Sequence, residues 1–190
     1  MKGCRPLTRR EFAQVVQGLT GHFALRDTAL VVLGERTGFR VSELLSLHVG
    51  DVWKAGRLVD WLDVPKRVVK RQTQGRSIPL HPQAKRALSA WLKVYGHAPD
   101  LVLFPSRKGI NKALSRVQAW QILQKSARSQ HLTGRIGFHS LRKKFGQEVY
   151  EALEYDLEGT RQLLGHKWLS STQSYLGCDP RRLRAAVLTR

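Results

Sequence analysis

Arg40 stands in Thr37-Gly38-Phe39-Arg40-Val41-Ser42-Glu43-Leu44, a glycine turn followed by a helical pattern, which presents its guanidinium beside the unpaired N–H groups of a helix start. Anions bind well at such a place. His139 and Arg142 lie three apart in His139-Ser140-Leu141-Arg142, so on a helix they share one face and could grip one phosphate together. His166 follows Leu163-Leu164-Gly165, where the glycine ends a short helix and turns the imidazole away from its axis. Tyr175 comes after Ser171-Thr172, in competition with Tyr95, Tyr150 and Tyr155 as a nucleophile. A basic protein acting on DNA phosphates without a metal must neutralise the developing charge with Arg, Lys and His and bring its own nucleophile. Each piece alone is weak, an Arg after a glycine turn being most often a solvated helix end, so order and spacing have to decide. The sequence has no phosphate-cradling glycine loop, no dinucleotide fingerprint and no paired His or Cys clusters, and neither a metal nor a cofactor is expected.

These residues need elements to hold them. Thr8-Arg9-Arg10-Glu11 has capping-box spacing ahead of Phe12, Val15, Val16 and Leu19, which predicts a first helix. A second apolar stretch runs from Leu25 to Leu33 and ends near Thr37-Gly38, and Arg40 opens a third over Val41 to Leu47. From Val52 to Leu80 the pattern changes. Leu58, Leu62 and Val64, a turn at Gly75, and Ser77-Ile78-Pro79-Leu80 predict a small antiparallel sheet. Pro82 fits the first turn of the next helix, with Ala84, Leu88, Trp91 and Leu92 as its buried face before Gly96 and Pro99 break it. Asn111 is expected to cap a following helix carrying Leu114, Val117 and Leu123. The reading is a mainly helical α+β chain without internal repeat, low-complexity tract or interdomain linker.

The 190 residues carry 33 Lys or Arg against 14 Asp or Glu, a formal net charge of +19, which suits a polyanionic partner. A hydrophobic share of 42% is enough to bury an ordinary core, and the length fits one domain. Between Leu101 and Gln147 there is no acid, while Arg107, Lys108, Lys112, Arg116, Lys125 and Arg128 accumulate, as suits a face that neutralises a nucleic-acid backbone. Acids return from Glu148 onward, so the charge is segregated along the chain. A ribosomal or other basic binding protein is the plain alternative. Cys4 and Cys178 sit near opposite ends, which excludes a disulfide framework and fits a reducing compartment. With no apolar stretch near the roughly 20 residues of a membrane span, and no signal-peptide run at the start, a cytoplasmic, nucleoid-associated protein is expected.

Taken in order, Thr37 to Leu44, then Gly75-Arg76-Ser77-Ile78-Pro79-Leu80, His139-Ser140-Leu141-Arg142, Leu163-Leu164-Gly165-His166 and Tyr175 resemble the tyrosine recombinases, also called the phage-integrase family. The resemblance runs from about Thr8 to Gly177 and implies an integrase-type DNA breaking-rejoining catalytic domain. It implies that Tyr175 attacks the scissile phosphate to form a 3′-phosphotyrosine and release a 5′-hydroxyl, without a high-energy cofactor. Arg40 and Arg142 would hold the non-bridging oxygens, His139 assist proton transfer near the tyrosine, His166 hydrogen-bond the phosphate, and Glu43 position. The family's general-acid lysine lies in a hairpin, here within Lys66 to Arg76. Lys70 is the expected acid, although the commonest family spacing back from Pro79 lands on Arg71, and Lys66 is a fallback. Arg71, Arg76, Lys143 and Lys144 are expected to contact DNA.

Two departures matter. After the second arginine the family usually continues with a small or hydroxyl residue and an apolar run, whereas Lys143-Lys144-Phe145-Gly146 adds charge. The family also usually carries an additional helical domain in front, and only about seven residues precede the first helix here. The chain is expected to be a single catalytic domain, either a compact member or a fragment of a longer protein, with residues 178–190 forming a tail helix that docks on a neighbouring protomer or on its own domain. The implied partner is double-stranded DNA, and the implied assembly four protomers on paired sites. A type IB topoisomerase and a non-catalytic DNA-binding module on the same fold are the rivals.

Overall fold

The computed structural model describes residues 3–65, 75–109, 111–176 and 188. The predicted first helix forms as α1 (Arg9–Gln17), with Thr8 as its N-cap and Glu11 closing the capping box. α2 (Ala24–Thr37) stops where Gly38 takes the left-handed conformation, φ +60°. α3 (Val41–Leu45) and the single turn α4 (Val49–Val52) follow. The predicted sheet appears as two separate antiparallel pairs: β1 (Trp53–Lys54) with β2 (Arg57–Leu58), and β3 (Trp61–Asp63) with β4 (Ser77–Pro79). In the second pair Leu62 faces Ile78 and both are buried, while their neighbours Trp61, Asp63, Ser77 and Pro79 are exposed, the two-residue alternation of a half-buried strand. α5 (Pro82–Tyr95) starts with proline in its first turn and buries Ala84, Leu88, Trp91 and Leu92, as the pattern predicts. α6 (Arg116–Ser129), α7 (Phe138–Ala152), α8 (Leu157–Leu164) and α9 (Leu169–Leu176) complete the order.

α2 lies at the centre. Ala29 through Glu35 are all buried, so the helix is enclosed around its circumference and packs on both α5 and α7. α1 packs on α6, whose Ser126 hydroxyl donates to the Val15 carbonyl at 2.5 Å. Ahead of α1 the chain is strapped to the turn that leads into α7. The Arg5 backbone N–H donates to Arg135 O at 3.1 Å, and its guanidinium donates to Glu11 and to Thr133 O.

Two local expectations fail for identifiable reasons. Ser115, not Asn111, caps α6, its hydroxyl accepting from Gln118 N at 3.1 Å. Asn111 instead ties a loop together, accepting from Val102 N and donating to Asp100 O. Val117, expected to be buried, faces solvent in the first turn of α6, while Leu123 keeps its place in the core. The expected tail helix lies outside the described residues. No helix among the described residues is long and apolar enough to cross a membrane.

Candidate active site

Two glycine helix ends build the site. Gly38 ends α2 and Gly165 ends α8, both left-handed, with φ +60° and +62°. A Cβ at Gly38 would run into the Phe145 ring, and one at Gly165 into the Arg76 guanidinium, so glycine is required there for space as well as conformation. Each end leaves main-chain carbonyls without helical partners, and arginines take them. Arg142 donates through Nη1 to Gly38 O and through Nη2 to Leu164 O at 2.5 Å. Arg40 donates through Nη2 to Gly165 O at 3.3 Å. The sequence separation between these partners exceeds a hundred residues for two of the three contacts, so tertiary packing sets the geometry.

Glu43 joins the arginines to one another. Its Oε2 accepts from the Arg40 backbone N–H at 2.7 Å and from Arg76 Nη2 at 2.8 Å, and its Oε1 accepts from Arg40 Nη1 at 2.9 Å. Burial works against its charge, but Arg76 and Arg40 outweigh it and hold the carboxyl below its usual range. Glu43 thus ties Arg40 to Arg76. Arg76 joins the same cluster. Its side chain is only 9% exposed, turned inward onto Glu43 and over the Phe39 ring, so it belongs to the cluster's frame. Among the described residues Arg76 Nε and Arg142 Nε are buried without hydrogen-bond partners.

The remaining groups converge from α7 to α9. α7 begins with the Ser140 hydroxyl accepting from Gly137 N–H at 3.1 Å, which fixes the turn bearing His139 and Arg142. Arg142 is 1% exposed and its pKa is pulled down, first by burial and then by Arg76 and Arg40. His139 reaches solvent from the next position round the helix, its pKa lowered by partial burial and by Arg142, Lys143 and Arg40. His166 is buried, and burial together with Arg142, Arg40, Arg76 and His139 pushes it down to about 3. Its imidazole is therefore neutral at physiological pH. The half-buried Tyr175 ring meets the His166 ring edge-on at 4.8 Å between centroids, and the His139 ring at 6.3 Å. Lys143 stands over the Tyr175 ring, its Nζ 5.6 Å from the centroid.

Arg40, Glu43, Arg76, His139, Arg142, Lys143, His166 and Tyr175 are thus brought into one connected cluster. A cleft of about 860 Å³ opens beside it, between Arg76 and Ser77 on one wall and Gln162, His166 and Lys167 on the other. Lys66, Lys70 and Arg71 lie outside the described residues. Lys144 corrects the expectation placed on it: it is 3% exposed, pointing away from the cluster into ion pairs with Glu35 at 2.6 Å and Glu148 at 2.7 Å. Two residues along a helix from Arg142, it falls on a different face. Sequence reasoning missed Thr172, whose hydroxyl lies 3.0 Å from His166 Nδ1; its one signal was a helical spacing of three from Tyr175. Among the described residues no three His, Cys, Asp or Glu side chains group as metal ligands would. The arrangement can bind a tetrahedral anion between the arginines and imidazoles and present a phenol to it.

Comparison with known proteins fits this geometry. Residues 6–182 match the Phage integrase family. The tyrosine recombinase XerC of Haemophilus ducreyi is 32% identical over 157 residues, covering 82% of this chain and 48% of the relative. XerC of Shewanella amazonensis is 34% identical over 158 residues, covering 82% and 50%. The chain therefore spans about half the length of these relatives. Among solved structures, XerA recombinase superposes with a TM-score of 0.77 at 20% identity, over 99% of this chain and 66% of that one. A Tn1549 transposon integrase in complex with transposon right end DNA gives 0.75 at 17%, over 100% and 67%. These likenesses show the fold, a mainly helical domain with a small antiparallel sheet.

Proposed function

The chain belongs to the Phage integrase family, and from that premise we propose that it breaks and rejoins DNA by transesterification, as the catalytic part of a site-specific tyrosine recombinase. The observation that carries the reading is the convergence of Arg40, Arg142 and His166 on one spot beside the Tyr175 ring. The Tyr175 hydroxyl attacks the scissile phosphorus and gives up its proton, with His139 as the proposed acceptor. The phosphorus–O5′ bond breaks as the phosphotyrosine bond forms. A proton from the 66–74 segment, with Lys70 as the first candidate and Arg71 and Lys66 as alternatives, completes the 5′-hydroxyl. The number of phosphate ester bonds is conserved, so rejoining is the same step in reverse.

The non-bridging oxygens carry the growing charge. Arg40 and Arg142 are suited to hold them because a guanidinium fork donates to two oxygens at once. Main-chain carbonyls already aim both forks, which is the preorganisation that favours a transition state over a solvated ground state. Double-stranded DNA is the proposed substrate, and exchange between two sites would use four protomers. Lys143, over the tyrosine ring, would act near the nucleophile in addition to any backbone contact.

The test is the trapping of a covalent protein–DNA adduct under denaturing conditions, comparing the protein with Tyr175→Phe on fragments from the gene's genomic neighbourhood. An adduct from the protein and none from the variant supports the reading. An adduct that persists in the variant moves the nucleophile to another tyrosine. Tight, salt-sensitive binding with no adduct favours a non-catalytic module, and relaxation of any plasmid by a monomer favours a topoisomerase.

A further inference from the structure

We infer that Thr172 is a positioning residue that fixes His166 in the tautomer carrying its hydrogen on Nε2. Both side chains are buried, and the Thr172 hydroxyl lies 3.0 Å from His166 Nδ1. The backbone of residue 166 is already held at both ends: its N–H donates to Arg161 O at 3.1 Å and its carbonyl accepts from Arg161 Nη1 at 2.7 Å. What this leaves open is the orientation of the ring and the location of its single hydrogen. A neutral imidazole has one N–H, and which nitrogen bears it is set by the hydrogen bond the other makes. Burial, with the surrounding cations Arg142, Arg40 and Arg76, keeps the ring neutral, so one nitrogen must be chosen.

The direction of the choice follows from the chemistry of the partner. Phosphate oxygens accept and do not donate, so a ring that serves them must offer Nε2–H and receive a hydrogen bond at Nδ1. A threonine hydroxyl can donate one. Thr172 sits three residues before Tyr175 on α9, so a single helix carries the nucleophile and the group that orients the imidazole against it. Both the choice of tautomer and the use of Nε2–H rest on the proposed reaction, but the tautomer is read in the protein without DNA, so the two can fail separately. In the opposite tautomer Nδ1–H would donate to the threonine and a lone pair would face the phosphate.

The experiment is nitrogen-15 spectroscopy of the imidazoles in histidine-labelled protein without DNA, with His166 assigned by the signal lost in His166→Gln. The expected result is an unprotonated, hydrogen-bonded Nδ1 and a protonated Nε2 in the protein and in Thr172→Ser. In Thr172→Val, nearly the same shape without the hydroxyl, a mixture of tautomers is expected. Adduct formation should fall about tenfold in Thr172→Val, the order expected for one buried hydrogen bond left unmade, and stay within about threefold in Thr172→Ser, with DNA affinity unchanged in both. A wild-type ring bearing its hydrogen on Nδ1 overturns the inference even if Thr172→Val does not fold. So does a Thr172→Val protein with the wild-type tautomer and rate. A tautomer shift in Thr172→Val alongside no adduct from the unaltered protein upholds the inference and sinks the proposed reaction instead.

Discussion

Arg142 holds two main-chain carbonyls and is almost wholly buried, so its fork is aimed before any phosphate arrives. Lysine keeps the charge but not the fork, and Arg142→Lys is expected to lower single-turnover adduct formation by at least ~10²-fold while leaving DNA affinity within a few-fold. Near-normal rates in Arg142→Lys and Arg40→Ala together would remove the phosphate clamp. His166 gives a pH prediction. Its pKa falls from the ordinary 6.5 to about 3 on folding, so between those values the unfolded chain takes up a proton that the folded one refuses. The stability this residue contributes is full above 6.5 and is lost as the pH falls toward 3. The acid decline of Tm should therefore be shallower in His166→Gln, and an unchanged slope would show that the ring is not held neutral. Arg40, His139, Arg142, His166 and Tyr175 were legible because each sits in its own local pattern. Arg76 and Lys144 were read as outward charges because composition does not tell which way a side chain turns, and the Thr172 contact depends on two helices meeting.

At the scale of elements, α2 and α7 are held together by packing, by Arg142 on Gly38 O, and by Lys144 between Glu35 and Glu148. Lys144→Met leaves the buried Glu35 with Arg36, at 3.0 Å, as its remaining ion pair, and breaking a buried pair on one side costs up to about 3–5 kcal/mol. Chemical denaturation should read that loss, and the double variant Glu35→Leu with Lys144→Met should recover most of it. A double variant as unstable as the single one would show that the pair itself, and not the half-compensated buried carboxylate, matters. The charged Lys143-Lys144 run that departs from the family pattern thus divides: Lys143 faces the tyrosine and Lys144 faces the acid on α2. Gly38→Ala tests the other joint. Left-handed strain alone costs of order 1 kcal/mol, and the clash with Phe145 adds to it, so a loss greater than 1 kcal/mol is expected in the same assay. Helices with a capping box or a glycine stop were read closely from sequence. The sheet was read only in kind, because pairing of two- and three-residue strands is set by what packs beneath them.

Across the whole molecule the net charge of +19 makes affinity for DNA a matter of salt. Counterion release predicts that log K falls linearly with log salt, with a slope of roughly −0.9 for each phosphate neutralised. Titrations over a range of salt should give a steep slope on any duplex. A shallow one would mean that the basic stretch between Leu101 and Gln147 does not face the backbone. The structure also shows what the protein holds in the absence of that partner: the half-exposed Arg40 and the buried Arg76 and Arg142 crowd around the Glu43 carboxylate, and burial, then Arg76 and Arg40, lower the Arg142 proton affinity. Such crowding is a debit that only an anion cancels, and proteins commonly trade stability for function in this way. A library selected for heat resistance without DNA should accordingly accumulate neutral residues at these three positions and lose activity as it does so. Repeating the selection with duplex present should reverse the preference, so the contrast between the two outcomes would draw the boundary of the site without a single assay of catalysis.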